Sequence, residues 1–228
     1  MIYLLYEVNV EMIELLLYIS IGFVFFGYIL YFILILIGKN KIVSKCDGFD
    51  ATKDIISEYN MINVIENNSY FTIYNIRRKV IKLSSQCYYG KDLSSISLSL
   101  MEAGVSIVDS NKNKYIDFLR ILFSNLKLLY IFPIIALFVS NSSFNINDAK
   151  VGIFLLLIFS FISYIVLEIK GYACYFVNEN LSKIKDISKE NRNKIISFMN
   201  KLLFCDKIIY FGELIMIIRL VFIMFEIK

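Results

Sequence analysis

Apolar positions along the chain follow two regimes, unbroken runs and periodic stripes, and each predicts a different kind of element. From Leu15 to Ile37 nearly every residue is apolar, interrupted only by Ser20, Gly22 and Gly27. As a helix these residues reach about 35 Å, enough to cross a hydrocarbon core of about 30 Å. The run predicts a transmembrane anchor over 12–38. Comparable runs predict spans over 119–139, with Asn125, Lys127 and Pro133 inside it, and over 151–169, with Glu168 at its end. A last one covers 208–225 and carries Glu213 and Arg219.

Between the first two runs lies the one substantial stretch with periodic patterning, 46–118. Asp50 to Tyr59 reads as a short helix, with Asp50 or Thr52 as N-cap and Ile55 and Ile56 facing inward. Ser69–Tyr74 and Lys79–Leu83 are rich in β-branched and aromatic residues and flank Asn75-Ile76-Arg77-Arg78. That pattern predicts a β-hairpin whose turn has no glycine. From Leu93 to Asp109 the period becomes helical. Ile96, Leu100, Ala103 and Ile107 form one apolar stripe, and Leu98, Met101, Val105 and Val108 a second beside it. Ser95, Ser99, Glu102, Ser106 and Asp109 fall on the remaining polar face.

Composition agrees with the runs. The chain has 228 residues, 58% of them hydrophobic and 19% charged, below the share of about 25% usual for soluble domains. The net charge of +4 comes from Lys and Arg that follow the loops. Twelve basic residues lie in 38–120 and eight in 170–207, against none in 1–11, one in 140–150 and one after Phe225. By the positive-inside rule this asymmetry places both termini outside and the 46–118 insert and the basic segment 170–207 in the cytoplasm. The start of the chain lacks the basic residues and cleavage site of a secretory signal, so the first span is expected to be retained. The segment Lys183–Lys207 interleaves lysines with Ile184, Ile187, Ile195, Phe198 and Leu202. It is expected to contact anionic head groups of the bilayer, not nucleic acid. Lys127 and Glu213 lie about 8–9 Å deep in their spans by helical rise and are expected to approach each other. Arg219 lies deeper and is expected to snorkel outward. Cys46, Cys87, Cys174 and Cys205 are scattered without a C-x-x-C pair and read as reduced packing thiols.

Several chemistries are excluded directly. The chain contains no His, so no Ser/His/Asp or Cys/His machinery can exist, and neither a P-loop nor a G-x-G-x-x-G motif occurs. Met101-Glu102-Ala103-Gly104-Val105 has the frame of a zinc-peptidase helix. A working frame reads His-Glu-x-x-His, because imidazoles at i and i+4 share one helical face and grip one Zn²⁺. Here Met101 and Val105 stand at the two ligand places. They also continue an apolar stripe, which gives them a packing role.

From Gly48 onward the chain resembles the membrane-embedded neutral zinc metallopeptidases of bacteria, the YugP-type family. Gly48-Phe49-Asp50-Ala51-Thr52-Lys53 is similar to the family's opening Gly-x-Thr-Gly-Ala-Glu helix. Tyr74 to Ser84 follows its Tyr-Asp-Pro-Arg-x-x-x-Val-Arg-Leu-Ser segment without a gap, and Tyr88 matches the next Tyr. Met101–Val105 stands at the His-Glu-Val-Gly-His box, and Leu167-Glu168-Ile169-Lys170-Gly171 at the Val-Glu-Phe-Asn-Ala box. The resemblance implies that Glu102 holds the place of the general base and Glu168 that of the third zinc ligand. Both imidazole ligands are missing, so no bound zinc is expected, although zinc is the family's cofactor.

The resulting expectation is an α-helical membrane protein of four transmembrane helices. A small cytoplasmic α+β insert carries the zincin-like helix, with Glu102 and Glu168 near each other at the membrane boundary. The expected function is that of an inactive homologue, a pseudo-peptidase that binds a membrane partner or an active homologue. The alternative is a hydrolase with a metal site rebuilt on Glu102 and Glu168.

Overall fold

The computed structural model describes residues 2–59, 62–110, 146–184 and 186–226. The expected span over 119–139, and Lys127 with it, lies outside the described residues. The fold is mostly helical with one small sheet. In chain order the elements are α1 (Ile2–Lys39), α2 (Gly48–Ile56), β1 (Asn63–Asn67), β2 (Ile73–Asn75) and β3 (Val80–Ser84). They continue with α3 (Ser85–Tyr89), α4 (Leu93–Ser110), α5 (Ile146–Asn180), a 3₁₀ turn (Leu181–Lys183) and α6 (Lys189–Glu226). Two helical stretches, Met12–Lys39 and Ser160–Lys183, are long and apolar enough to cross a membrane.

The chain divides into two compact units, one of them 1–30, 126–166 and 205–228. In it α1 and α6 pack through glycine. A Cβ at Gly212 would lie 2.7 Å from Val24 Cγ2, and one at Gly27 would lie 3.3 Å from the Cys205 carbonyl. Small residues permit this approach, and the Ser20 hydroxyl donates to the Gly212 carbonyl at 3.0 Å. Phe25, Phe26, Ile29 and Phe161 are exposed, and Phe211, also exposed, meets the Phe23 ring edge-on at 5.2 Å. Arg219 does not snorkel. It is buried, and its Nε donates to the Ile13 carbonyl at 3.2 Å, with Glu14 as the nearby opposite charge. Glu213 finds the Ser163 hydroxyl as a hydrogen-bond partner.

The other unit joins 31–125 to 167–204, so the insert over 46–118 does not close its own core. Ile55, Ile81, Leu83, Ile96, Leu100 and Ile107 share one buried cluster with Val177, Leu181, Ile184, Ile195, Met199 and Leu202. Ile184, Ile187, Ile195, Phe198 and Leu202 of the basic segment are therefore spent on this core, while Phe204 is exposed. The segment 170–207 comprises the end of α5, the 3₁₀ turn and the start of α6.

Within this unit α2 starts two residues earlier than expected. Its cap is Asp47, whose carboxylate accepts from the Asp50 N–H at 3.0 Å. The hairpin is β2 and β3, antiparallel with Tyr74 opposite Ile81. Its glycine-free turn is made by the Asn75 side chain, which accepts from the Arg78 N–H at 3.0 Å, and by Lys79 at φ 50°. Strand β1, unforeseen in the sequence, pairs in parallel with β3, giving the order β1-β3-β2.

Candidate functional site

Helix α4 carries Met101–Val105, and Asp92 launches it. The Asp92 carboxylate accepts from the Ser95 N–H at 3.0 Å and from the Ser95 hydroxyl at 2.7 Å, satisfying first-turn donors that have no helical partner. Ile96, Leu100, Ala103 and Ile107 are fully buried, as the stripe requires.

The polar face is the surprise. Ser95, Ser99 and Ser106 are buried, and so is Asp109, so this side of the helix is not solvated. The serines meet their own helix: Ser99 donates to the Ser95 carbonyl at 2.8 Å and Ser106 to the Ala103 carbonyl at 2.7 Å. Being small, they let other backbone close in. A Cβ on Gly48 of α2 would sit 2.6 Å from the Ser99 hydroxyl and 2.0 Å from the Cys87 carbonyl.

Glu102 also faces inward on this side. β2 is an edge strand, and its Tyr74 N–H donates to Glu102 Oε2 at 2.7 Å. The Tyr74 hydroxyl reaches two turns along the same helix and donates to Asp109 Oδ2, also at 2.7 Å. Opposite, α4 meets α5 almost backbone to backbone, since a Cβ on Gly104 would lie 2.6 Å from the Ala173 carbonyl. This packing brings Lys170 of α5 within electrostatic reach of Glu102. Burial of the Glu102 carboxylate pushes its pKa up to about 7, opposed in part by the Tyr74 N–H and by Lys170.

Glu168 precedes Lys170 on α5 by two positions, and its side chain is exposed. The charge acting on Glu102 is thus that of Lys170, the position after the expected ligand by two. Lys170 was not singled out by the sequence. Its only signal there is its place inside the Leu167–Gly171 box.

Whether zinc fits these residues is decided by their chemistry. Met101 is buried in the core cluster, and Val105 packs partly buried against it. A thioether is a poor ligand for Zn²⁺ and an isopropyl group is none, while catalytic zinc takes three protein ligands. Cys46 and Cys87 are free and buried, and burial pushes both thiols up, away from the thiolate form that binds metal. Among the described residues no group of three or more Cys, Asp or Glu is placed to hold a metal ion. The donor set does not fit zinc. What remains is a carboxyl group with near-neutral acidity, able to hold or release a proton at Oε while tied to a strand edge.

No protein-family model matches the chain, and no curated protein or solved structure matches it either.

Proposed function

We propose that the protein is a membrane-bound pseudo-peptidase: it retains the frame of a zinc metallopeptidase, has lost the metal, and acts by binding. The observation that carries this reading is the fate of Met101 and Val105. Both ligand places of the frame are filled by apolar side chains that pack with the core, while Glu102 at the base position holds the Tyr74 N–H. A carboxylate engaged in this way joins α4 to β2. A frame without its imidazole ligands would not hold the metal that lowers the pKa of a water or polarises a carbonyl. The membrane reading draws support from the two helical stretches long and apolar enough to span. Four spans with both termini outside remain part of the proposal, resting on the distribution of Lys and Arg. The partner would be a membrane protein, an active homologue included.

The test is restoration. Chelator-sensitive peptidase activity is measured for the wild type and for Met101→His/Val105→His, each purified with zinc. The wild type should be inactive, and the double variant should acquire zinc if the frame is that of a metallopeptidase. Chelator-sensitive cleavage by the wild type would overturn the reading.

A further inference from the structure

At its C-terminal end α1 passes from exposed Leu36 and Ile37 to exposed Lys39, Lys41 and Lys45. Between the lysines Ile42 protrudes, 81% exposed. Packing among the described residues does not account for an isoleucine this open on an ordered backbone. The segment is held firmly. The Lys41 N–H donates to the Gly38 carbonyl at 3.1 Å, and the Val43 N–H to the Lys91 carbonyl at 3.1 Å. In return the Leu93 N–H donates to the Lys41 carbonyl at 2.8 Å, and Ile42 forms an antiparallel bridge with Asp92. Asn191 Nδ2 adds a bond to the Val43 carbonyl at 2.9 Å. This bridge brings the backbone of Lys91, also exposed and fifty residues away in sequence from Lys41, alongside that of Lys41–Val43. Of the neighbouring acids, Asp92 caps α4 and Asp47 caps α2, while Asp50, Asp54 and Asp186 lie within electrostatic reach of Cys46, next to Lys45.

We propose that Lys39, Lys41, Lys45 and Lys91 form a preordered binding site for the head groups of anionic phospholipids, with Ile42 inserted at the acyl boundary. This rests on the reading of α1 as a membrane helix. The occupant follows from continuity and charge. An apolar helix of membrane length runs directly into the site, and four exposed lysines on the segments joined at Ile42 match a surface that offers phosphate above hydrocarbon. The α1 end is also clamped, because a Cβ on Gly38 would meet Phe198 at 2.8 Å and Ser94 at 2.9 Å. The lysines therefore meet the surface on a fixed scaffold and not on a loose tail.

The experiment reconstitutes the full chain in vesicles of phosphatidylcholine with one-third phosphatidylglycerol, extracts it in neutral detergent, and counts retained lipids by native mass spectrometry. The wild type should retain phosphatidylglycerol in preference to phosphatidylcholine. Lys39→Gln/Lys41→Gln/Lys45→Gln/Lys91→Gln should lower that preference at least about tenfold, given about 1 kcal/mol for each basic residue near an anionic surface. Lys201→Gln/Lys207→Gln, which removes two exposed lysines of α6, should leave it unchanged. Equal loss in both variants would overturn the site in favour of general charge, and so would elution of the lipid by inorganic phosphate at equal phosphate concentration. A chain that reconstitutes yet shows no preference overturns the site alone. A chain that fails to float with any vesicles overturns the membrane reading as well.

Discussion

The backbone N–H of Tyr74 donates to Oε2 of Glu102 across 2.7 Å, so this carboxylate of α4 serves an edge strand. Glu102→Ala would leave that N–H without its acceptor and should cost about 1–3 kcal/mol. Glu102→Gln keeps an acceptor and should cost less. Chemical denaturation of the detergent-solubilised protein distinguishes the two, and equal losses would mean that the bond contributes nothing.

The same carboxyl group makes stability depend on pH. Its pKa is about 7 in the fold against 4.5 as the reference, so the folded state binds the proton more tightly. The stabilisation is complete below the lower value and is lost as pH rises through the upper one. Between pH 5 and pH 8 the wild type should lose up to about 3 kcal/mol relative to Glu102→Gln. A wild type whose stability follows that of Glu102→Gln across this range would show that the group titrates normally.

The contact of Gly104 with Ala173 leaves no room for a methyl group, because the obstacle is backbone. Gly104→Ala should destabilise by about 1–3 kcal/mol through overpacking. Gly171→Ala on α5 is the matched control. Nothing lies within 4 Å of a Cβ there, and removing a helical glycine should stabilise by about 0.5–1 kcal/mol. Opposite signs from the two variants in thermal unfolding are the expected result.

One turn before Met101, the Ser97 hydroxyl is buried and has no hydrogen-bond partner among the described residues. Ser97→Ala should therefore be neutral or stabilising, by up to about 1 kcal/mol. Tyr74→Phe should do the reverse. It removes the donor to Asp109 and should cost about 1–3 kcal/mol. A stabilised Tyr74→Phe would show that the bond to Asp109 is not a favourable one.

The parts of this fold that were legible in the sequence are those where one period dominates. The stripe of Ile96, Leu100, Ala103 and Ile107 marked α4 to within a residue, and the apolar run marked the membrane-length part of α1, Met12–Lys39, although the helix itself begins at Ile2. The hairpin of β2 and β3 was visible because β-branched residues flank Asn75. Strand β1 was not, since Asn63–Asn67 turns no face fully inward and its partner is parallel and remote. The buried serines of α4 misled for a physical reason. A hydroxyl that bonds its own helix carries no cost of burial, so polarity stopped reporting exposure. At the site, Met101, Glu102 and Val105 could be placed from the chain, but the proximity of Lys170 to Glu102 depends on Gly104 meeting Ala173. No local pattern encodes that meeting.

The most direct test of the central claim is the zinc content of the purified wild type and of Glu168→Ala, measured by elemental mass spectrometry. The account predicts no stoichiometric zinc in either. About one zinc per chain in the wild type, lost in Glu168→Ala, would contradict it and establish a metal site built without histidine.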